Sequence, residues 1–226
     1  MTEYFTPGGC GEAELIEKKS RFISRIWPVE TEEQIREILE KLRKDYWDAS
    51  HHVYAYRIGL SSVTERFSDD GEPGGTSGMP TLTVLKGQDL HNVLVVTTRY
   101  FGGTLLGTGG LVRAYSQAAQ MAVEAAGIRK REVLVPFTVP TDYTLLGKIQ
   151  YILKKAQIPI LSTEFTDAVR LRVAVPEAMK DRFVKLITEE TEGRVSPEAG
   201  APVWGSIGEG KCEFYPESAM PIPECR

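Results

Sequence analysis

The 226-residue chain is long enough for two modest domains, each with its own core. Its 42% hydrophobic and 26% charged residues are ordinary for a soluble globular protein, and no apolar run approaches the ~20 residues of a membrane helix. The formal net charge is −4, from 16 Lys/Arg against 17 Asp/Glu through Arg131 and 11 against 14 beyond it, so neither half has the basic surplus of a generic nucleic-acid binder. The start, Met1-Thr-Glu-Tyr-Phe followed by Pro7, Gly8 and Gly9, is unlike a signal peptide. Cys10, Cys212 and Cys225 form no CxxC pair and no disulfide framework, which predicts unpaired thiols and a cytoplasmic protein.

In chain order, residues 1–12 read as a loosely held lead-in. Residues 13–29 read as one or two strands, with Leu15, Phe22, Ile23, Ile26 and Trp27 apolar and Glu17-Lys-Lys-Ser20 as a bend or polar segment. Thr31 and Gln34 have capping-box spacing, and Ile35, Ile38, Leu39 and Leu42 mark one face of a helix to about Asp45. Residues 51–59 alternate as a strand. His51 and His52 then point to opposite faces and do not jointly hold a metal ion; either is a candidate proton-transfer group or a packed imidazole. Residues 62–67 continue as a paired strand, and Ser68-Asp-Asp-Gly-Glu-Pro-Gly-Gly-Thr-Ser-Gly-Met-Pro80 is dense in turn residues. Asp69, Asp70 and Glu72 are weak metal candidates, suited to Mg²⁺ with a phosphate, or plain turn carboxylates. Thr76 and Ser77 open a short helix to about Lys86 with Pro80 in its first turn, or, by Thr81 and Thr83, a strand, and their hydroxyls make a second anion-facing element.

The organising stretch is residues 93–115: a buried strand to Tyr100, a loop, and a helix stopped by Gly127. Five glycines fall in nine residues, Gly102, Gly103, Gly107, Gly109 and Gly110, with Arg99 and Arg113 flanking them. Two readings stay open. A helix-opening glycine loop presents unpaired N–H groups that suit phosphate, or the glycines allow tight packing alone. The second part, after a charged boundary at 128–132, has the order βαββαβ: strand 133–139, a helix 143–156 capped by Asp142, strands 158–165 and 168–175, a helix 177–191, and a weak strand 194–205. Lys154, Lys155, Arg170 and Arg172 make a small basic patch or an ordinary solvated surface. The domains are thus 1–131 and 132–205, with 206–226 an extended tail.

Residues 99–115, RYFGGTLLGTGGLVRAY, with 67–80, FSDDGEPGGTSGMP, resemble the YigZ/IMPACT family of small cytosolic proteins in its bacterial two-domain form, over roughly residues 1–205. The resemblance implies an α+β chain. Its first domain would be a two-layer α/β fold like a ribosomal protein's second domain and the GHMP kinases. Its second would be ferredoxin-like and similar to a domain of elongation factor G. It also implies a link to translation with RNA or ribosome contact. Eukaryotic relatives restrain a starvation-response kinase by competing for that kinase's activator. No catalytic residue follows from it.

The leading expectation is a translation-linked regulatory protein without chemistry of its own and without a cofactor. Its anion- or RNA-facing surface is Arg99, Gly102, Gly103, Gly107, Gly109, Gly110 and Arg113, with Thr76 and Ser77. One alternative is an enzyme acting on a phosphorylated small molecule or nucleotide, with Mg²⁺ on Asp69, Asp70 and Glu72 and His51 or His52 moving the proton. Its requirement is that these groups converge on one cleft with the glycine loop. Another is a protein-interaction module using the open sheet of the second domain. The oligomeric state does not follow from the sequence.

Overall fold

The computed structural model describes residues 2–208, 211–215 and 223. The chain divides into two compact units, one holding Glu3–Arg129 and the other beginning at Lys130.

In the first unit, β1 (Glu3–Pro7) lies beside the 90–92 segment: His91 N–H donates to the Phe5 carbonyl, and Tyr4 and Thr6 are buried. The expected loose lead-in is therefore an ordered edge. β2 (Gly11–Glu17) and β3 (Ser20–Pro28) form a hairpin closed by Lys18 and Lys19, both at positive φ as a tight two-residue turn requires. Helix α1 (Glu32–Asp45) begins in a complete capping box, Thr31 with Gln34. β4 (His51–Ile58), β5 (Thr64–Ser68), α2 (Gly78–Gly87), β6 (Val93–Tyr100) and α3 (Thr108–Ala126) follow. The sheet is antiparallel in the order β2-β3-β6-β4-β5.

Central strand β6 is apolar on both sides, so both faces of the sheet must be covered. Val93 and Val95 pack with Ile26, Leu85 and Ala119 under α2 and α3, whereas Leu94 and Val96 pack with Trp27, Ile38 and Leu42 under α1. The unit therefore has three layers, not the two expected. Small residues bring α3 close to the sheet. A Cβ on Gly11 would fall 2.5 Å from the Ala126 nitrogen.

The second unit contains most of β7 (Ile128–Thr141), then α4 (Leu146–Lys155), β8 (Ile160–Phe165), β9 (Val169–Pro176), α5 (Lys180–Glu190), β10 (Glu198–Ala199), β11 (Val203–Gly208) and β12 (Lys211–Phe214). Its strands run β12-β11-β7-β9-β8, with β10 also paired to β7, and the pairings of β7 through β12 are antiparallel. Phe137, Val139, Leu171, Val173 and Val175 face α4 and α5, while Arg170 and Arg172 are exposed on the opposite face. Three boundaries move. The charged 128–132 segment lies inside β7, because alternation in a strand accommodates charged residues on its solvated side. Asp142 accepts from the Leu145 N–H in the turn before α4, which starts three residues later than read. Residues 206–208 and 211–214, expected in an extended tail, belong to the paired strands β11 and β12, and most of the tail beyond 215 lies outside the described residues. Cys10 is disulfide-bonded and Cys212 is free, which corrects the expectation of unpaired thiols throughout.

Thr31→Ala removes the side-chain acceptor of the capping box and is expected to lower stability by about 1 kcal/mol, with Thr31→Ser near the parent, in urea denaturation of the whole chain.

Candidate functional site

Antiparallel register sets Phe22, Arg99 and His51 side by side across β3, β6 and β4. Arg99 is thereby held at the end of the central strand, only 4% exposed. A guanidinium buried to that degree needs a carboxylate, and Glu72 supplies it. Arg99 Nη1 donates to Glu72 Oε1 at 2.5 Å, and the Tyr115 hydroxyl of α3 donates to the same oxygen at 2.7 Å. Arg99 Nη2 donates to Ser20 Oγ at 3.2 Å, and the guanidinium lies over the rings of Phe22 and Phe101. His51 Nε2 stands 3.8 Å from Glu72 Oε1, and its Nδ1 meets the Asp70 carbonyl at 2.8 Å, which places the proton on Nδ1. Burial first, then the charge and hydrogen bond of Glu72, push the Tyr115 phenol far above its ordinary value, so it remains a donor.

The other two carboxylates point elsewhere. Asp69 Oδ1 accepts from the N–H groups of Ser77 and Gly78 and from Ser77 Oγ at 2.6 Å, and Oδ2 accepts from Gly75 N–H at 2.8 Å. It is an anion at the N-terminus of α2, contributed by the chain itself. Burial alone would raise the Asp69 carboxyl, but these donors outweigh it and hold the group below its ordinary value. Thr76 and Ser77 are consequently buried, with Thr76 Oγ1 donating to the Pro73 carbonyl and Ser77 spent on Asp69. They do not offer the free hydroxyls expected of an anion-facing element. Asp70 accepts from the His52 N–H at 2.6 Å and faces Arg43 at 3.5 Å. His52 lies on the other side of β4, between Thr98 Oγ1 and the Tyr46 carbonyl, and burial pushes its imidazole pKa down. Among the described residues no three His, Cys, Asp or Glu side chains gather as a cation site. The carboxylates and histidines therefore do not converge as the enzyme alternative requires.

The glycines divide by role. Gly102 is a close approach: a Cβ there would stand 2.0 Å from the Lys19 carbonyl carbon, and its N–H donates to Ser20 Oγ. Gly103 and Gly107 hold positive φ with open space around them. Gly107 is the N-cap of α3 without a side-chain acceptor, and the first turn has no acidic residue, so the leading N–H groups of Thr108, Gly109 and Gly110 lie at an uncapped terminus. Arg113 and Lys18 line a small cleft of about 150 Å³ against Gly110, with Leu15, Glu17 and Leu106. Arg99 is thus buried, whereas the exposed cations Lys18 and Arg113 line the cleft at the start of α3 and exposed Lys19 lies against Gly102 through its backbone. The 46–50 turn is tied beside it: Tyr100 donates to Asp48, Ser50 N–H to the Arg99 carbonyl, and Phe101 N–H to Ser50 Oγ. This end of the sheet therefore presents Trp47 and Leu105, 80% and 82% exposed, beside Phe101.

The residues of this network fall in a segment with known relatives. Residues 18–123 match the Impact N-terminal domain and residues 140–194 a domain of unknown function, DUF1949. The chain is 37% identical over 200 residues to the IMPACT family member YvyE of Bacillus subtilis, covering 88% of this chain and 92% of that one. The chain belongs to the IMPACT family. It is also similar to IMPACT family member YigZ of Escherichia coli, 34% identical over 178 residues, with 78% of this chain and 87% of that one covered. A crystal structure of a hypothetical protein matches at 32% identity and a TM-score of 0.57, over 89% of this chain and 98% of that one.

The first IMPACT match takes in both motif loops and every partner of Glu72. Ser20, Tyr115 and the Lys18–Lys19 turn were not singled out as site residues from the sequence. The turn was readable only as a bend at Glu17–Ser20, and nothing local ties Tyr115 to Glu72, 43 residues away. Glu72→Gln leaves Arg99 buried without its countercharge and is expected to cost about 3–5 kcal/mol in urea denaturation. Tyr115→Phe is expected to cost about 1 kcal/mol there. Because Asp69 titrates lower folded than unfolded, its contribution is complete above its ordinary value and is lost as pH falls from there through the depressed folded value. Asp69→Asn should flatten that acid limb in melts between pH 5 and pH 2, an interval of about that width.

Proposed function

We propose that this IMPACT family chain is a cytoplasmic, translation-linked regulatory protein that contacts RNA or the ribosome through the 101–113 loop. The observation that carries the reading is the uncapped start of α3, framed by Lys18, Lys19 and Arg113, with Trp47 and Phe101 exposed beside it. Backbone N–H groups and three cations suit phosphate, and exposed rings suit unstacked bases. The contrast with α2 sharpens this: there the chain's own Asp69 occupies the helix terminus, and at α3 no acidic side chain of the first turn does so.

Family membership supports the link to translation that the motif resemblance implies. The engagement of Asp69, Asp70 and Glu72 by protein donors supports a role in binding over chemistry. Among the described residues no helix is long and apolar enough to cross a membrane. In the second unit, the strand order β11-β7-β9-β8 with α4 and α5 on one face supports the ferredoxin-like reading and its likeness to an elongation factor G domain. The acidic balance of the chain argues for modest, structure-selective affinity.

The test is anisotropy with a single-stranded RNA and a hairpin RNA, plus co-sedimentation with ribosomes, across a salt series. Replacing Lys18, Lys19 and Arg113 together by Gln is expected to weaken RNA binding at least about tenfold and to reduce the salt slope by about 2. Absence of RNA and ribosome binding at low ionic strength overturns the reading.

A further inference from the structure

In the second unit, β8 is the outer strand of the sheet: β9 pairs one of its edges, and among the described residues nothing pairs the other. Two hydrogen bonds fix which backbone groups that open edge presents. Thr166 N–H donates to the Ala168 carbonyl at the turn, and Ala174 N–H donates to the Pro159 carbonyl at the far end. Antiparallel alternation between those points aims the backbone of Ser162 and Glu164 at β9 and the N–H and C=O groups of Thr163 and Phe165 outward. The prolines of β7 agree with this phase. Pro136 and Pro140 have no N–H to give, and they stand opposite Ala174 and Arg170, whose backbone turns toward β8 instead. A row of unpaired backbone donors and acceptors is a template for another strand.

The side chains along this edge divide by face. Ile160, Thr163 and Phe165 stand on the helix side, in register with buried Val173, Leu171 and Val169, whereas Ser162 and Glu164 stand on the open side with Arg172 and Arg170. Phe165 is 61% exposed and stacks at 6.5 Å on Tyr143, 57% exposed, whose hydroxyl donates to the Thr166 carbonyl. An aromatic pair fixed at an open edge and left in water gains from a strand that covers it. A bulge between Ile160 and Ser162 confines the regular run to Ser162–Phe165, so the covering strand has to be short.

We propose that the occupant of this edge is β8 of a second copy of the chain, antiparallel about a two-fold axis at Thr163. In that register the two Thr163 residues exchange both N–H···O bonds, and Phe165 reaches Leu161 of the second copy. Glu164 falls opposite Ser162 of the second copy. Across the open face each carboxylate then lies between Arg170 of its own chain and Arg172 of the other. The neighbouring register, Thr163 against Phe165, sets the two Glu164 carboxylates opposite each other, so the charges select the first. Because the contact is short, the dimer is weak and dissociates in the roughly micromolar range.

The test is sedimentation equilibrium of the full chain from about 1 to about 300 μM, with amide hydrogen exchange at both ends of that range. The dimer fraction is expected to grow with concentration. Exchange should slow at Thr163 and Phe165 and stay unchanged at Ser162 and Glu164, whose amides already face β9. Glu164→Arg sets a third cation beside Arg170 and Arg172, twice per dimer, and is expected to weaken dimerisation at least about tenfold; adding Arg172→Glu is expected to restore most of it. Thr163→Pro removes an outward N–H that β9 does not use and is expected to leave a folded monomer, its fold checked by thermal melting. A chain that stays monomeric throughout, a dimer with unprotected Thr163 and Phe165 amides, or a Glu164→Arg dimer as tight as the parent overturns the proposal.

Discussion

The buried pair of Glu72 and Arg99 is the constraint on which the rest of the first unit depends. The two groups, one from a turn and one from the end of a strand, lie 27 residues apart, and each is almost fully withdrawn from water. Neither charge is tolerable there alone, so the 68–78 segment and the end of β6 must meet wherever the sheet forms. Tyr115 joins α3 to the same oxygen, and Ser20 joins the β2–β3 hairpin to the same guanidinium. One ion pair thus indexes a turn, a hairpin, a strand end and a helix. The glycine loop is the segment that crosses over this junction, and Gly102 is required because the hairpin backbone leaves no room for a Cβ.

Two helices begin close in sequence to the two motifs and treat their N-termini differently. At α2 the chain supplies the anion, and Asp69 satisfies backbone donors that would otherwise need water or a ligand. At α3 the N-cap is a glycine at positive φ and supplies no acceptor. The same electrostatics that makes the first terminus a structural element is what the proposed anion contact at the second would draw on. Lys18 lines the cleft beside Gly110 and Lys19 abuts Gly102 through its backbone, because a two-residue turn puts both at the tip of the hairpin. The IMPACT-type motif is therefore partly framework and partly surface, and conservative changes at Arg99 and Arg113 have different physical meanings. Arg99 is a countercharge in the interior, and Arg113 is a solvated cation.

The second unit is organised more simply. One face of its sheet is closed by α4 and α5 around Phe137 and Phe183, whose rings meet edge to face at 5.0 Å. The other presents Arg170 and Arg172 on a strand whose alternate residues are fully buried. Such a strand has no freedom to slip by one residue, since every side chain would change faces.

Much of this was legible in the chain. Thr31 and Gln34 announced α1, the apolar run 93–100 announced a covered strand, and alternation in 169–175 separated buried from solvated residues, because each pattern follows from local geometry of period 3.6 or 2. The glycine cluster and the acidic turn also stood out as special. What local pattern does not carry is the partner of a buried charge. Arg99 read as a flanking donor for phosphate, and only the register of β3, β6 and β4 turned it inward toward Glu72. Thr76 and Ser77 read as open hydroxyls, and only the fold of the 68–78 turn brought Asp69 onto them. Lys18 and Lys19 gained their place at the loop from hairpin closure. Residues 206–208 and 211–214 read as tail because their glycines are turn signals, whereas pairing of β11 with β12, and of 203–205 with β7, makes a strand pair of that backbone. Sequence thus settled which segments become helix or strand and which residues are unusual. Tertiary structure decided which charges neutralise one another and which stay exposed, since desolvation depends on neighbours that are distant along the chain.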